Sequence, residues 1–181
     1  MTDDILSERS TAAVGIAFAS AQSSLGMVLV ARRADGVCAL LLGDGDERLR
    51  RELAASFPDA LCERRQDALR PEIAAAVALA ENPRAAFEPP LSIGGTPFQK
   101  KVWAALHEIP AGATVSYAEI ARRIGTPSAV RAVAGACAAN VLAIAIPCHR
   151  VLRSDGSLSG YRWGLERKRI LIEREKGATA T

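Results

Sequence analysis

Residues 116–140 read Ser-Tyr-Ala-Glu-Ile-Ala-Arg-Arg-Ile-Gly-Thr-Pro-Ser-Ala-Val-Arg-Ala-Val-Ala-Gly-Ala-Cys-Ala-Ala-Asn, and this stretch decides the architecture around it. Helical spacing over Ser116 to Ile124, the break Gly125-Thr126-Pro127, and a second helical stretch from Ser128 to Ala139 give the helix-turn-helix outline. The second helix is made almost entirely of small residues, and Arg131 is its only charge. Such a surface has little with which to read base edges in a major groove. It lets a backbone approach another surface closely, which suits either a tight protein core or the narrow minor groove of DNA.

Downstream, the apolar run Leu142 to Ile146 leads into Pro147-Cys148-His149-Arg150. This tetrapeptide sets a thiol beside a base and a fixed cation. Only a few per cent of an ordinary cysteine is ionised near neutral pH, so nearby positive charge or a base is what activates it. Adjacent side chains on an extended strand point to opposite faces, so His149 can serve Cys148 only through a turn or a bridging water. Pro147 fixes its own φ and favours a turn there. The chain continues through a loop with an Asp155-Gly156 turn and ends in a helix from Leu165 to Lys176. Upstream, Thr96-Pro97 supplies a cap and a proline at the first helical position. Phe98, Val102 and Leu106 then fall on one helix face, and the segment from Ile109 closes the helix.

The first half predicts a small sheet with helices. Val14 to Ser20, Leu25 to Arg32 and Gly36 to Gly43 read as hairpin-linked strands, and Asp46 to Phe57 and Leu69 to Ala80 as helices. The proline-rich segment 82–90 marks a boundary. The fold class is therefore mixed α/β, with an α/β domain over 1–91 and a mostly helical domain over 92–181. The 181 residues are 49% hydrophobic, enough for a real core. Residues 1–91 carry 10 Lys+Arg against 14 Asp+Glu, whereas 92–181 carry 13 against 6. The basic half alone suits a polyanion or, equally, a solvated charged surface. The acidic N-terminus has no secretory pattern, and no apolar run approaches the ~20 residues a membrane span needs. Cys38, Cys62, Cys137 and Cys148 form no CxxC pair, and a reducing cytoplasm is the simplest setting. Cys38 and Cys137, inside apolar segments, are expected in the core.

Ile146-Pro147-Cys148-His149-Arg150-Val151, preceded by Asn140, Arg131 and Val115-Ser116-Tyr117 and followed by Gly160-Tyr161, resembles the O6-alkylguanine-DNA alkyltransferases. The resemblance covers the second half in order and spacing. The first half is similar, more loosely, to that family's ribonuclease-H-like domain. Leu41-Leu42-Gly43-Asp44 resembles the alkyltransferase domain of bacterial adaptive-response proteins. The resemblance implies irreversible transfer of an alkyl group from guanine O6 in double-stranded DNA to Cys148, after base flipping through the minor groove, by a monomer with no cofactor. It makes Cys148 the nucleophile and His149 a base acting through water, oriented by Glu175. Asn140 ties the helix-turn-helix to the active-site segment, and Tyr117 crowds the target phosphate and helps protonate the purine. Arg131 takes the flipped base's place. Ala118, Thr126, Gln99 and Ser154 complete the implied DNA contacts. Val151, Tyr161, Arg162 and Trp163 form the implied pocket, with main-chain groups around Val151 and Ser154 lining it.

Arg162 and Trp163 stand where some members have small residues and predict a narrow pocket, favouring O6-methylguanine over a free benzylated guanine. Cys38, Cys62 and His107 give no zinc cluster, so no metal is expected. The cysteine-rich regulatory segment of full adaptive-response proteins is not found among these 181 residues, so its functions are not expected of them. Two other readings stay open on the residues: a non-catalytic module that binds alkylated DNA, and a thiol hydrolase built on Cys148 and His149.

Overall fold

The computed structural model describes residues 14–177; the acidic segment 1–8 read above lies outside them. Three antiparallel strands, β1 (Val14–Ser23), β2 (Gly26–Arg33) and β3 (Gly36–Gly43), follow the predicted runs closely. Gly26 and Gly36 take positive φ where the hairpins turn, and at Gly36 a Cβ would sit 2.5 Å from the Pro90 carbonyl oxygen. α1 (Asp46–Ser56) buries Leu49 and Leu53, and Asp46 and Glu47 in its first turn complement the helix dipole. Next comes β4 (Ala60–Arg64), which pairs parallel to β1 and gives the sheet order β3-β2-β1-β4. Sequence patterning did not predict this strand: its five residues include two charges, and none of them is fully buried. α2 (Arg70–Glu81) completes the first half, with Pro71 tolerated in its first turn.

β3 is buried at every position although it ends the sheet. Two short segments from beyond α2 cover its outer edge. Residues 90–92 bridge to Val37, with Val37 N donating to Pro90 O and Ser92 N to Val37 O, both at 2.8 Å. Residues 141–143 bridge to Leu40, with Leu40 N donating to Val141 O at 2.8 Å and Ala143 N to Leu40 O at 2.9 Å. An exposed edge of Val, Ala and Leu would invite strand pairing with other chains. Here it fixes the segment that leads to Cys148.

The second half opens with α3 (Pro97–His107), capped as predicted: Gln99 N donates to Thr96 Oγ1 and Thr96 N to Gln99 Oε1, a full capping box. Ser116 caps α4 (Tyr117–Arg123) by accepting from Glu119 N. Gly125, at φ 76°, ends that helix, and α5 (Val130–Ala138) follows. α5 packs on both α3 and α4, and Trp103 Nε1 of α3 donates to Ala136 O at 2.9 Å. The small-residue helix has two faces: Val133, Ala136 and Cys137 are buried, while Arg131, Ala132, Gly135 and Ala138 are exposed. Core packing and an open small-residue surface thus coexist on one helix. Two-residue strands β5 (Val115–Ser116) and β6 (Val151–Leu152) pair in parallel, and α6 (Leu165–Gly177) ends the described chain. No helix among the described residues is long and apolar enough to cross a membrane.

Candidate active site

The approach to Cys148 is not a strand. After the single bridge at Leu142 the chain turns through Ala143 to Ala145, and Ile144 takes φ 65°, a conformation that disfavours a β-branched residue. Asn140 holds this turn. Its Oδ1 accepts from Leu142 N at 2.8 Å, and its Nδ2 donates to Ile146 O at 3.0 Å and to Cys148 Sγ at 3.2 Å. One buried amide therefore fixes both the turn and the sulfur.

Cys148, His149 and Arg150 form a single 3₁₀ turn after Pro147, which answers the adjacency problem: successive side chains fan out around the turn and do not alternate. All three are buried. His149 Nε2 lies 2.7 Å from Glu175 Oε1 on α6. Arg150 also turns to Glu175, with Nε 3.1 Å from both carboxylate oxygens and Nη2 2.9 Å from Oε1. Its Nη1 donates to Ile109 O at 2.5 Å, and Gly112 N donates to Glu175 Oε2 at 3.0 Å. Arg150 thus serves the carboxylate, not the thiol beside which the sequence sets it.

Charge follows from these contacts. Burial alone would raise the Glu175 carboxyl, but hydrogen bonds from His149 and Arg150 outweigh it and hold the pKa at about 2. Burial keeps His149 below its ordinary value, against the pull of Glu175. An ionised carboxylate can only accept, so Nε2 of the neutral imidazole carries the proton. His149 Nδ1 is then a bare acceptor, and it has no hydrogen-bond partner among the described residues. Burial pushes the Cys148 thiol up to about 11, opposed by the Asn140 bond and by the charges of Lys168 and Arg162. The resting sulfur is therefore a protonated thiol with a base in its own turn.

A cavity of about 540 Å³ opens at Cys148, walled by Tyr117, Ala134, Cys137, Ala138, Arg153, Ser159, Gly160, Tyr161 and Arg162. Of the expected pocket residues, Tyr161 and Arg162 are on this wall; Val151, Ser154 and Trp163 are not. Trp163 is buried behind the wall, packed edge-on against Tyr161 with ring centroids 5.2 Å apart. Any narrowing of the wall by the Arg162-Trp163 pair therefore falls to Arg162, with Trp163 acting only as backing for Tyr161. Val151 is buried and its carbonyl accepts from Lys168, while Ser154 sits in the exposed Asp155-Gly156 turn. Ala118 is half-buried on α4. Thr126, in the α4–α5 turn, has a buried hydroxyl without a partner among the described residues. Gln99 spends its amide on the α3 cap and lines a different cavity. Arg131 is exposed, with no ion pair or hydrogen bond among the described residues.

Lys168 is the residue sequence patterning missed. It lies among charged residues on α6 and reads as solvated, yet it is 0% exposed. Its Nζ donates to the carbonyls of Val151 at 2.6 Å, Ser159 at 2.8 Å and Gly160 at 3.4 Å, and lies 5.9 Å from the Tyr117 ring centroid. An ammonium has only donors, and three carbonyls satisfy them.

Comparison with known proteins gives the family. The 6-O-methylguanine DNA methyltransferase DNA-binding domain matches residues 97–177. The Escherichia coli bifunctional transcriptional activator/DNA repair enzyme Ada is 49% identical over 162 residues, 90% of this chain and 46% of that protein. The chain thus spans about half the length of that relative. The inducible methylated-DNA–protein-cysteine methyltransferase of Bacillus subtilis is 45% identical over 68% of this chain and 69% of its own length. Among solved structures, Mycobacterium tuberculosis OGT in complex with DNA superposes with a TM-score of 0.72 at 33% identity, covering 89% of this chain and 93% of that one. Sequence and fold, matched across most of the length of the latter two proteins, place this chain in the methylated-DNA–protein-cysteine methyltransferase family, the O6-alkylguanine-DNA alkyltransferases.

Proposed function

We propose that the chain transfers the alkyl group of an O6-alkylguanine in double-stranded DNA to Sγ of Cys148, once per molecule. The observation that carries this is Cys148 facing a cavity large enough for a base, with the buried His149–Glu175 pair in the same turn. In the step, sulfur forms a bond to the alkyl carbon as the bond from that carbon to guanine O6 breaks. The thiol proton passes to His149 Nδ1 through water, and the departing guanine takes a proton with help from Tyr117, whose hydroxyl burial holds protonated. The thioether has no route back, so the protein is consumed.

A base reaches the cavity only if it leaves the duplex. The open face of α5 is where the minor groove would rest, because Ala132, Gly135 and Ala138 let backbone approach closely. Arg131, the one charge on that face, would fill the space the base leaves. Ala118, Thr126 and Ser154 are assigned to the same DNA surface, and Gln99, committed to the α3 cap, is left out of it. We take the α4–α5 pair as a helix-turn-helix, the junction of residues 91 and 92 as the boundary between the two domains, and the acting species as a monomer.

Incubation with a duplex bearing O6-methylguanine, followed by the mass of the intact protein, tests this. Stoichiometric gain of one methylene unit, lost in Cys148→Ala, is expected. Unchanged mass with retained DNA binding would mean a non-catalytic module, and many turnovers per molecule would mean a hydrolase.

A further inference from the structure

Arg162 stands on the wall of the Cys148 cavity, and its guanidinium is gripped from the other half of the chain. Its Nε donates to Glu52 Oε1 on α1 at 2.7 Å, and its Nη2 to Ser56 Oγ at 3.3 Å. The two charged side chains are 26% and 22% exposed, so water screens the pair only in part. The loop that carries Arg162 is pinned on both sides: Lys168 holds the Ser159 and Gly160 carbonyls, and Arg167 Nη1 holds Trp163 O at 2.9 Å. Gly160 and Gly164, at φ 27° and 100°, bracket it with backbone that other residues rarely adopt. Tyr161 and Trp163 pack inward against each other. Arg162 is, with Arg153, one of two arginines on the cavity wall, and Glu52 sets its direction.

We propose that Glu52 is a specificity-determining residue: by holding Arg162 across the mouth of the cavity, it limits the size of the alkyl group that reaches Cys148. The first half of the chain then sets substrate range without touching substrate. The inference rests on the alkyl-transfer function proposed above.

The test compares single-turnover rates on duplexes bearing O6-methylguanine and O6-benzylguanine, using the whole chain. Glu52→Gln should leave the methyl rate within about twofold and raise the benzyl-to-methyl ratio at least about threefold, the scale a partly exposed ion pair can enforce. Exchanging the charges, Glu52→Arg with Arg162→Glu, should return the ratio toward the parent value. A ratio that stays level or falls in Glu52→Gln, with methyl transfer intact, overturns the proposal. So does an equal loss on both duplexes, which would mark Glu52 as merely structural. A parent protein that transfers neither group refutes the alkyl-transfer function itself, and the Glu52 role with it.

Discussion

His149 Nε2 and Glu175 Oε1 lie 2.7 Å apart with both side chains closed to solvent, and Arg150 grips the same carboxylate. The carboxylate forces the imidazole tautomer and so leaves Nδ1 free to take a proton. Glu175→Gln removes the charge and lets the amide donate as well as accept, so the tautomer is no longer fixed. The methyl-transfer rate should drop by about 100-fold, the lower range of what a positioned base contributes. Single-turnover loss of O6-methylguanine measures it, and a rate within twofold of the parent would dismiss Glu175 as an orienting group.

The same carboxylate ties stability to acid. Its pKa is about 2 in the folded chain against an ordinary 4.5, so between those values the unfolded chain takes up a proton that the native one refuses. The Glu175 contribution is full above pH 4.5 and falls as the pH drops toward 2. The buried His149, held below its ordinary value, acts in the same direction as the pH falls through 6.5. The Glu175 contribution is of order 3 kcal/mol by linkage. Urea titrations at a series of pH values should show this slope in the parent and lose its lower part in Glu175→Gln.

How much of this was legible in the sequence depends on whether the cause was local. Thr96-Pro97-Phe98-Gln99 spells out its own capping box, and Gly125 its own helix end, so both were readable. The full burial of β3 was readable as hydrophobicity but not as geometry, because what covers it arrives from residues 90–92 and 141–143. Arg150 and Lys168 were misleading for the same reason. Arg150 is two residues from the thiol yet spends its guanidinium on a carboxylate 25 residues away. Lys168 looks like one more cation on a charged helix, and its partners are main-chain carbonyls, which leave no trace in side-chain patterning.

Thiol chemistry should reflect burial. Cys148, Cys38 and Cys137 are pushed to about 11, 11 and 12, and Cys62 is raised as well, all mainly by burial. The native protein should therefore react slowly with iodoacetamide at pH 7, and all four thiols should become fast on unfolding. Methyl transfer should not show that alkaline dependence, because the proton leaves for His149 as sulfur attacks. Its acid limb should lie below pH 6.5, the ordinary histidine value from which burial lowers His149. A transfer rate that keeps climbing with pH toward about 11, the value to which burial pushes Cys148, would mean that free thiolate, not the His149 relay, limits the reaction.

Lys168→Met separates the structural from the electrostatic role of the buried ammonium. Methionine keeps much of the apolar stem but strands the carbonyls of Val151 and Ser159, both close partners of Nζ. Each buried acceptor left without a donor costs ~1–3 kcal/mol, so the variant should be destabilised by about 2–4 kcal/mol in urea unfolding. The loop holding Tyr161 and Arg162 loses its anchor at Ser159 and Gly160. The Cys148 thiol also loses one of the two cations that oppose its upward shift. Its reaction with iodoacetamide should therefore move to still higher pH, while Cys38, for which Lys168 is not among the perturbing charges, should react as before. If the Cys148 profile does not move although stability falls as expected, Lys168 is a clamp for the loop and nothing more.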